Sequence, residues 1–125
     1  MIIKRCKHCG NQVFMLNDSG VPMMCCGEAM QELVAGSVDA AKEKHVPFVT
    51  VNEDTLQVAV GEVAHPMTPE HSIQWIAVVQ DSRIQFAKLT PTDEPKASFP
   101  ITKGLAYKVY EYCNLHSLWL TEGQA

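Results

Sequence analysis

Two cysteine pairs within the first 26 residues constrain this chain more than any other feature. Cys6 and Cys9 form a Cys-x2-Cys step, and after fifteen intervening residues come the adjacent Cys25 and Cys26. A Cys-x2-Cys turn can aim two thiolates at one ion, and a second pair completes a tetrahedral four-thiolate site that suits zinc or iron. Ordinary buried thiols need no such pairing. The total of five cysteines is odd, so a framework built only of disulfides would strand one thiol. Adjacent ligands are unusual for a zinc ribbon and should distort the tetrahedron, and spacing alone does not choose the metal. Residues 1–36 hold these four cysteines, little apolar core, and Gly10, Gly20, Gly27 and Gly36 between short extended pieces. Such a segment draws much of its folding energy from a bound ion.

The chain has 125 residues, enough for one domain or one domain with a small appendage. At 46% hydrophobic and 19% charged it is not a disordered chain. Ten Lys and Arg against fourteen Asp and Glu give a net charge of -4, which excludes a broad nucleic-acid interface. No apolar run approaches the roughly 18 residues a membrane helix needs. Met1-Ile2-Ile3-Lys4-Arg5-Cys6 lacks the apolar core of a signal peptide. The expectation is a cytosolic protein with reduced cysteines and no membrane contact.

Asp39 to His45 reads as a short helical or turn segment before Pro47. Beyond it the pattern is β. Phe48, Val49 and Val51 form one run; Leu56, Val58 and Val60 alternate up to Gly61. Residues 73–79 are apolar on both faces, as in a strand covered on both sides. Ile84 with Phe86, Phe99 with Ile101, and Leu105, Tyr107 and Val109 follow, separated by turn clusters such as Gln80-Asp81-Ser82 and Lys103-Gly104. Short strands at this spacing predict a β-sandwich over residues 37–125.

The histidines fall in a pattern too. His65-Pro66-Met67 and His71 lie between two predicted strands, His45 precedes Pro47, and Cys113-Asn114-Leu115-His116 follows the last strongly alternating run. A lone histidine is more often a solvated or core residue than a ligand. Four near strand ends, with a cysteine three residues from one of them, point toward a shared metal site. His8, inside the Cys6–Cys9 turn, reads as solvated. Trp75 and Trp119 read as core or site-wall residues, and Met67 as packing below its loop.

These motifs resemble a known family. Glu43-Lys44-His45-Val46-Pro47, His65-Pro66-Met67 with His71, and Cys113-Asn114-Leu115-His116-Ser117-Leu118-Trp119 closely resemble the superoxide reductases. The four N-terminal cysteines resemble the desulforedoxin-type domain of their two-iron form, desulfoferrodoxin. The resemblance spans nearly the whole chain. It implies an all-β protein: a small four-cysteine, desulforedoxin-like iron domain over 1–36, then an immunoglobulin-like β-sandwich over 37–125. It implies two mononuclear iron sites, one held by Cys6, Cys9, Cys25 and Cys26, the other by His45, His65, His71, His116 and an axial Cys113. Four neutral imidazoles and one thiolate on Fe(II) leave an open position and a net positive charge that attracts a small anion. The implied reaction reduces superoxide to hydrogen peroxide with electrons from a rubredoxin-like donor, in a homodimer. Lys44 resembles the loop lysine that steers superoxide, and Glu43 the carboxylate that closes the oxidised site. Without the resemblance, Glu43 and Lys44 read as a solvated charge pair.

One departure stands out: Ser117 occupies a position where the family usually has glycine. If that position needs positive φ, Ser117 is strained beside His116. Two other readings compete. One is an electron-transfer or structural four-cysteine iron or zinc protein with an incidental histidine cluster. The other is a cupin-type oxygenase, which needs two histidines and a carboxylate, with Glu70 the candidate.

Overall fold

The computed structural model describes residues 1–125, which form two compact units, Met1–Val34 and Ala35–Ala125. No helix is long and apolar enough to cross a membrane.

The first unit is built from very short strands. β1 (Ile3–Arg5) pairs antiparallel with β2 (Gln12–Phe14) and β5 (Gln31–Glu32), and β3 (Met24–Cys25) forms a hairpin with β4 (Glu28–Ala29). Its buried apolar side chains are Ile3 and Cys6, while Leu16, Val21, Met24 and Val34 are exposed. That is too little apolar burial for a fold of this size to rest on.

The second unit opens with a four-residue helix, α1 (Lys42–His45), and continues as strands β6 (Pro47–Asn52), β7 (Thr55–Val60), β8 (Ile73–Gln80), β9 (Arg83–Lys88), β10 (Lys96–Pro100), β11 (Ala106–Cys113) and β12 (Ser117–Gln124). They form an antiparallel three-stranded sheet, β10-β7-β6, and a four-stranded sheet, β12-β11-β8-β9. The alternation read in the sequence is what lets the two sheets face each other. Leu56, Val58 and Val60 of β7 and Phe99 of β10 meet Ile76 and Val78 of β8 and Val109 and Cys113 of β11 in one core. Each fully buried Leu, Ile or Val there contributes about 1.5–3 kcal/mol. The other face of the four-stranded sheet is apolar too: Trp75, Ala77, Tyr110, Tyr112 and Leu118 are all buried, and Trp75 stacks on Tyr112 at 5.9 Å. The second unit is therefore the β-sandwich that the sequence predicts, in a chain that is all-β apart from α1.

β12 is the element that the alternating pattern did not reveal. Leu118-Trp119-Leu120 is apolar without alternation, and Gly123 interrupts the strand that follows. The structure explains the glycine. The ring of Tyr107, on the paired strand, packs directly over Gly123, where a Cβ would collide.

One buried polar side chain ties the far end of the sandwich together. Gln80, at the end of β8, donates from Nε2 to the carbonyls of Thr102 (2.8 Å) and Leu105 (3.3 Å), and its Oε1 accepts from the Thr102 N–H at 2.7 Å. Its amide thus satisfies the turn between β10 and β11. Gln80→Leu leaves these groups unpaired in an apolar setting and should cost about 2–4 kcal/mol. Urea unfolding measures it, and a loss under about 0.5 kcal/mol would contradict this account.

Candidate metal centres

The two groups of ligand-type side chains predicted from the sequence both assemble. Within the first unit the sulfurs of Cys6, Cys9, Cys25 and Cys26 lie within 4.8 Å of one another; within the second, so do one ligand atom each of His45, His65, His71, Cys113 and His116. All five cysteines are free thiols. Glu70 is not part of the second group, so the two-histidine, one-carboxylate arrangement is absent.

The fold resolves the problem posed by adjacent cysteines. Consecutive residues of a strand point to opposite faces. Cys25 is the last residue of β3, and Cys26 has φ +51°, followed by Gly27 at +77°. Two successive positive φ values form the tight two-residue hairpin turn. They break the alternation, so both sulfurs turn to the same side. On the opposing segment, Gly10 N–H closes onto the Cys6 carbonyl at 2.9 Å and so folds the Cys6–Cys9 turn. Cys9 and Cys25 sulfurs approach to 3.6 Å. The Cys6 thiol is lowered to about 6, chiefly by the Cys9 backbone N–H, whereas Cys26 is pushed up to about 12, first by its hydrogen bonds to Cys9 and Cys6. Ionising all four thiols at this spacing would set like charges against one another, a repulsion that a bound cation would offset. His8 is exposed beside Glu28 at 3.2 Å, outside the sulfur group.

The second centre sits at one end of the sandwich. His45 ends α1, His65 lies in the loop after β7, His71 precedes β8, Cys113 ends β11, and His116 lies in the turn to β12. A register shift between Tyr112 and Cys113, which pair with Trp75 and Ile73, re-aims the cysteine at that strand end. Gly61 makes the arrangement possible. A Cβ there would lie 2.7 Å from the Glu43 carbonyl oxygen and 2.9 Å from backbone atoms of Lys44 and Val46, so α1 rests directly on the loop that carries His65. The Val63 N–H donates to the Glu43 carbonyl at 2.8 Å across the same contact.

Hydrogen bonding fixes which nitrogens face inward. Nδ1 of His45 lies 2.7 Å from the Ala41 carbonyl, and Nδ1 of His65 lies 2.7 Å from the Pro66 carbonyl. A carbonyl only accepts, so both Nδ1 atoms carry the proton and both Nε2 atoms present lone pairs. Those two Nε2 atoms are 3.1 Å apart, and Nδ1 of His116 is 3.0 Å from Nε2 of His45. Nε2 of His71 is buried with no hydrogen-bond partner. Protonation does not relieve the crowding: burial, as the main cause, holds His45 and His71 below the ordinary imidazole range and His65 at about 4. Cys113 is held above its ordinary range by burial, with the backbone N–H groups of Leu115 and His116 opposing. Converging neutral lone pairs and a sulfur 3.8 Å from His116 Nδ1 fit a soft or borderline cation such as iron.

The model of the desulfoferrodoxin family matches residues 37–122. A desulfoferrodoxin from Clostridium acetobutylicum is 49% identical over 114 residues, covering 90% of this chain and 89% of the relative. This chain belongs to the desulfoferrodoxin family. A superoxide reductase from Pyrococcus horikoshii is 35% identical over 70% of this chain and 92% of its own length. Among solved structures, the superoxide reductase from Treponema pallidum superposes with a TM-score of 0.76 at 34% identity, covering 95% of this chain and 98% of that one.

Around the desulfoferrodoxin-type centre stand further residues, to some of which the sequence gave no role. Trp119 stacks on the His45 ring at 5.1 Å and donates from Nε1 to the His116 carbonyl at 3.0 Å; its reading as a site wall was correct, but its hydrogen bond was not foreseeable. Met67 packs against the core, and its sulfur accepts the Ile73 N–H at 3.3 Å. Glu111, two residues before Cys113, is fully buried with both carboxylate oxygens unpartnered. Neither Gly61 nor Glu111 carried a signal, because a close approach and a buried charge exist only once the strands are packed. Glu43 and Lys44 are exposed on α1.

Two predictions follow from these surroundings. Ser117 has φ +65°, the left-handed region that favours glycine, so Ser117→Gly should stabilise the fold by about 1 kcal/mol; an unchanged or lower denaturation midpoint would contradict the strain. Burial pushes the Glu111 carboxyl up to about 9. The folded state then binds a proton that the unfolded state releases near 4.5, so stability falls as pH rises from about 4.5 to 9. Glu111→Gln removes that loss. Its Tm should decline less than that of the parent between pH 5 and 9, and parallel declines would refute the assignment.

Proposed function

We propose that this chain is a superoxide reductase: superoxide, one electron and two protons give hydrogen peroxide, with no dioxygen released. The single observation that carries this reading is the buried set of four imidazoles and one thiol whose ligand atoms lie within 4.8 Å. An iron ion held by His45, His65, His71, His116 and Cys113 would supply the redox chemistry. The relatives named superoxide reductases support this, and no carboxylate enters the set to suggest an oxygenase.

The chain's own residues have separable tasks in this reading. The Ala41 and Pro66 carbonyls hold His45 and His65 in the tautomer that turns Nε2 inward. The Leu115 and His116 amides favour the anionic form of the Cys113 sulfur. Lys44 adds positive potential that is felt at His45 and His71, drawing a small anion toward the imidazole face. Glu43, beside it, is the carboxylate that closes the oxidised site and assists peroxide release. Cys6, Cys9, Cys25 and Cys26 hold a second iron in a domain over about residues 1–36, an electron-transfer or structural centre, and residues 37–125 form the reductase domain. A rubredoxin-like carrier supplies the electron, the chain acts as a homodimer, and the free thiols suit a reducing cytoplasm.

The test is iron content per chain, followed by a superoxide pulse on the reduced protein with peroxide and dioxygen both measured. Two irons, one peroxide per superoxide and no dioxygen are expected; dioxygen release, or zinc alone from an iron-replete preparation, would overturn the reading. Lys44→Ala should slow the second-order reaction with superoxide about tenfold at low ionic strength and flatten its salt dependence, and Lys44→Arg should restore both. An unchanged rate and salt dependence would remove Lys44 from the steering role.

A further inference from the structure

Two of the four histidines of the second centre are anchored at the ring, and Trp119, which stacks on one of those rings, holds the backbone of a third. A carbonyl anchors His45 Nδ1 and another anchors His65 Nδ1, and Trp119 bonds the carbonyl of His116. The His71 ring is oriented by the backbone that carries it, and its Nε2 has no partner. That backbone is closed locally by Thr68. Its N–H donates to the His71 carbonyl at 2.9 Å, and its hydroxyl accepts the His71 N–H at 3.1 Å. A turn closed only on itself does not fix a distance to another strand.

Asn114 supplies the missing restraint. It follows Cys113 in sequence, yet its side chain reaches the His71 loop, more than forty residues away. The Ser72 N–H donates to Oδ1 at 2.9 Å, and Nδ2 donates to the Glu70 carbonyl at 2.8 Å. The Asn114 N–H in turn donates to the Ser72 carbonyl at 3.2 Å. The three bonds straddle His71, binding the residue before it and the residue after it to the residue that follows the cysteine. A planar amide does this with its acceptor and its donor on separate atoms; a carboxylate has no donor, and a hydroxyl would have to serve both partners from one oxygen.

We propose that Asn114 is the positioning residue for His71, setting the span between that imidazole and the Cys113–His116 hairpin. It touches no ligand atom and is not a catalytic residue. The proposal rests on the reading of the five residues as a metal centre. It goes beyond that reading by naming what ties His71, whose ring has no anchor, to the residue that follows Cys113. A groove on the outer face of the three-stranded sheet, lined by Phe48, Thr50, Ala59 and Lys96, supports no comparable inference, since nothing shows what would cover it.

The test uses the iron-loaded full chain and reads the rate at which a chelator bleaches the thiolate-to-iron band of the second centre. Asn114→Ala should accelerate bleaching about tenfold or more, as loss of outer contacts to a ligand commonly does. Asn114→Asp, which keeps the Ser72 bond and loses the Glu70 bond, should fall between. In a His71→Ala background, adding Asn114→Ala should change the rate little, because the two act through one imidazole. Amide exchange at Ser72, read on the metal-free chain, should quicken in Asn114→Ala. Equal acceleration in both backgrounds would assign Asn114 to general hairpin stability and overturn the proposal, as would an unchanged rate in the single variant. If His71→Ala alone bleached at the parent rate, the ligand reading would fail and the proposal with it; the Ser72 exchange rate would then still report whether the clamp holds the loop.

Discussion

Two imidazole lone pairs 3.1 Å apart in a buried space repel, and neither ring can easily take a proton to relieve them. Much of the second unit is arranged around keeping them there. The carbonyls of Ala41 and Pro66 orient the two rings, and Gly61 lets α1 lie against the loop after β7. Trp119 backs the His45 ring while holding the carbonyl of His116, next to a serine in left-handed conformation. The apolar core beneath supplies the stability that such local frustration draws on. A bound cation turns the same convergence from a cost into a gain, which links folding to metal uptake.

The first unit reaches a similar result by other means. It has almost no core, so its thiols are crowded by backbone geometry rather than by packing. Left-handed residues at Cys26 and Gly27 turn two neighbouring sulfurs to one side, and the Cys6–Cys9 turn supplies the other two. Its four thiols form a closed set of one donor type, whereas the second set mixes four imidazoles with one sulfur. That contrast in donor set supports dividing their roles between a redox or structural centre and a reactive one.

Buried polar groups in the sandwich fall into two kinds. Gln80 is fully satisfied and serves the fold at the end away from the strand termini that carry His71 and Cys113. Glu111 is unsatisfied and neutral at physiological pH, close along β11 to the sulfur ligand. The pH-dependent part of its cost is one that glutamine, which does not titrate, would not carry. Its proximity raises the Cys113 thiol further when the carboxyl is charged.

All nine cysteine and histidine side chains that the fold gathers into two groups were singled out in the sequence, because soft donors are few and their spacing is unusual. The sandwich strands before Cys113 were legible too, from alternation along β7 and from the run of β8 that is apolar on both faces. β12 was not: Leu118, Trp119 and Leu120 do not alternate, and Gly123 makes sense only under the ring of Tyr107. The close approach at Gly61, the clamp of Asn114 on either side of His71 and the buried carboxyl of Glu111 join residues far apart in the chain. Composition and spacing thus determine which atoms can bind metal. Only the packed sandwich decides which nitrogen of each ring turns inward and how far apart the ligands stand, because those depend on hydrogen bonds and contacts that no single segment contains.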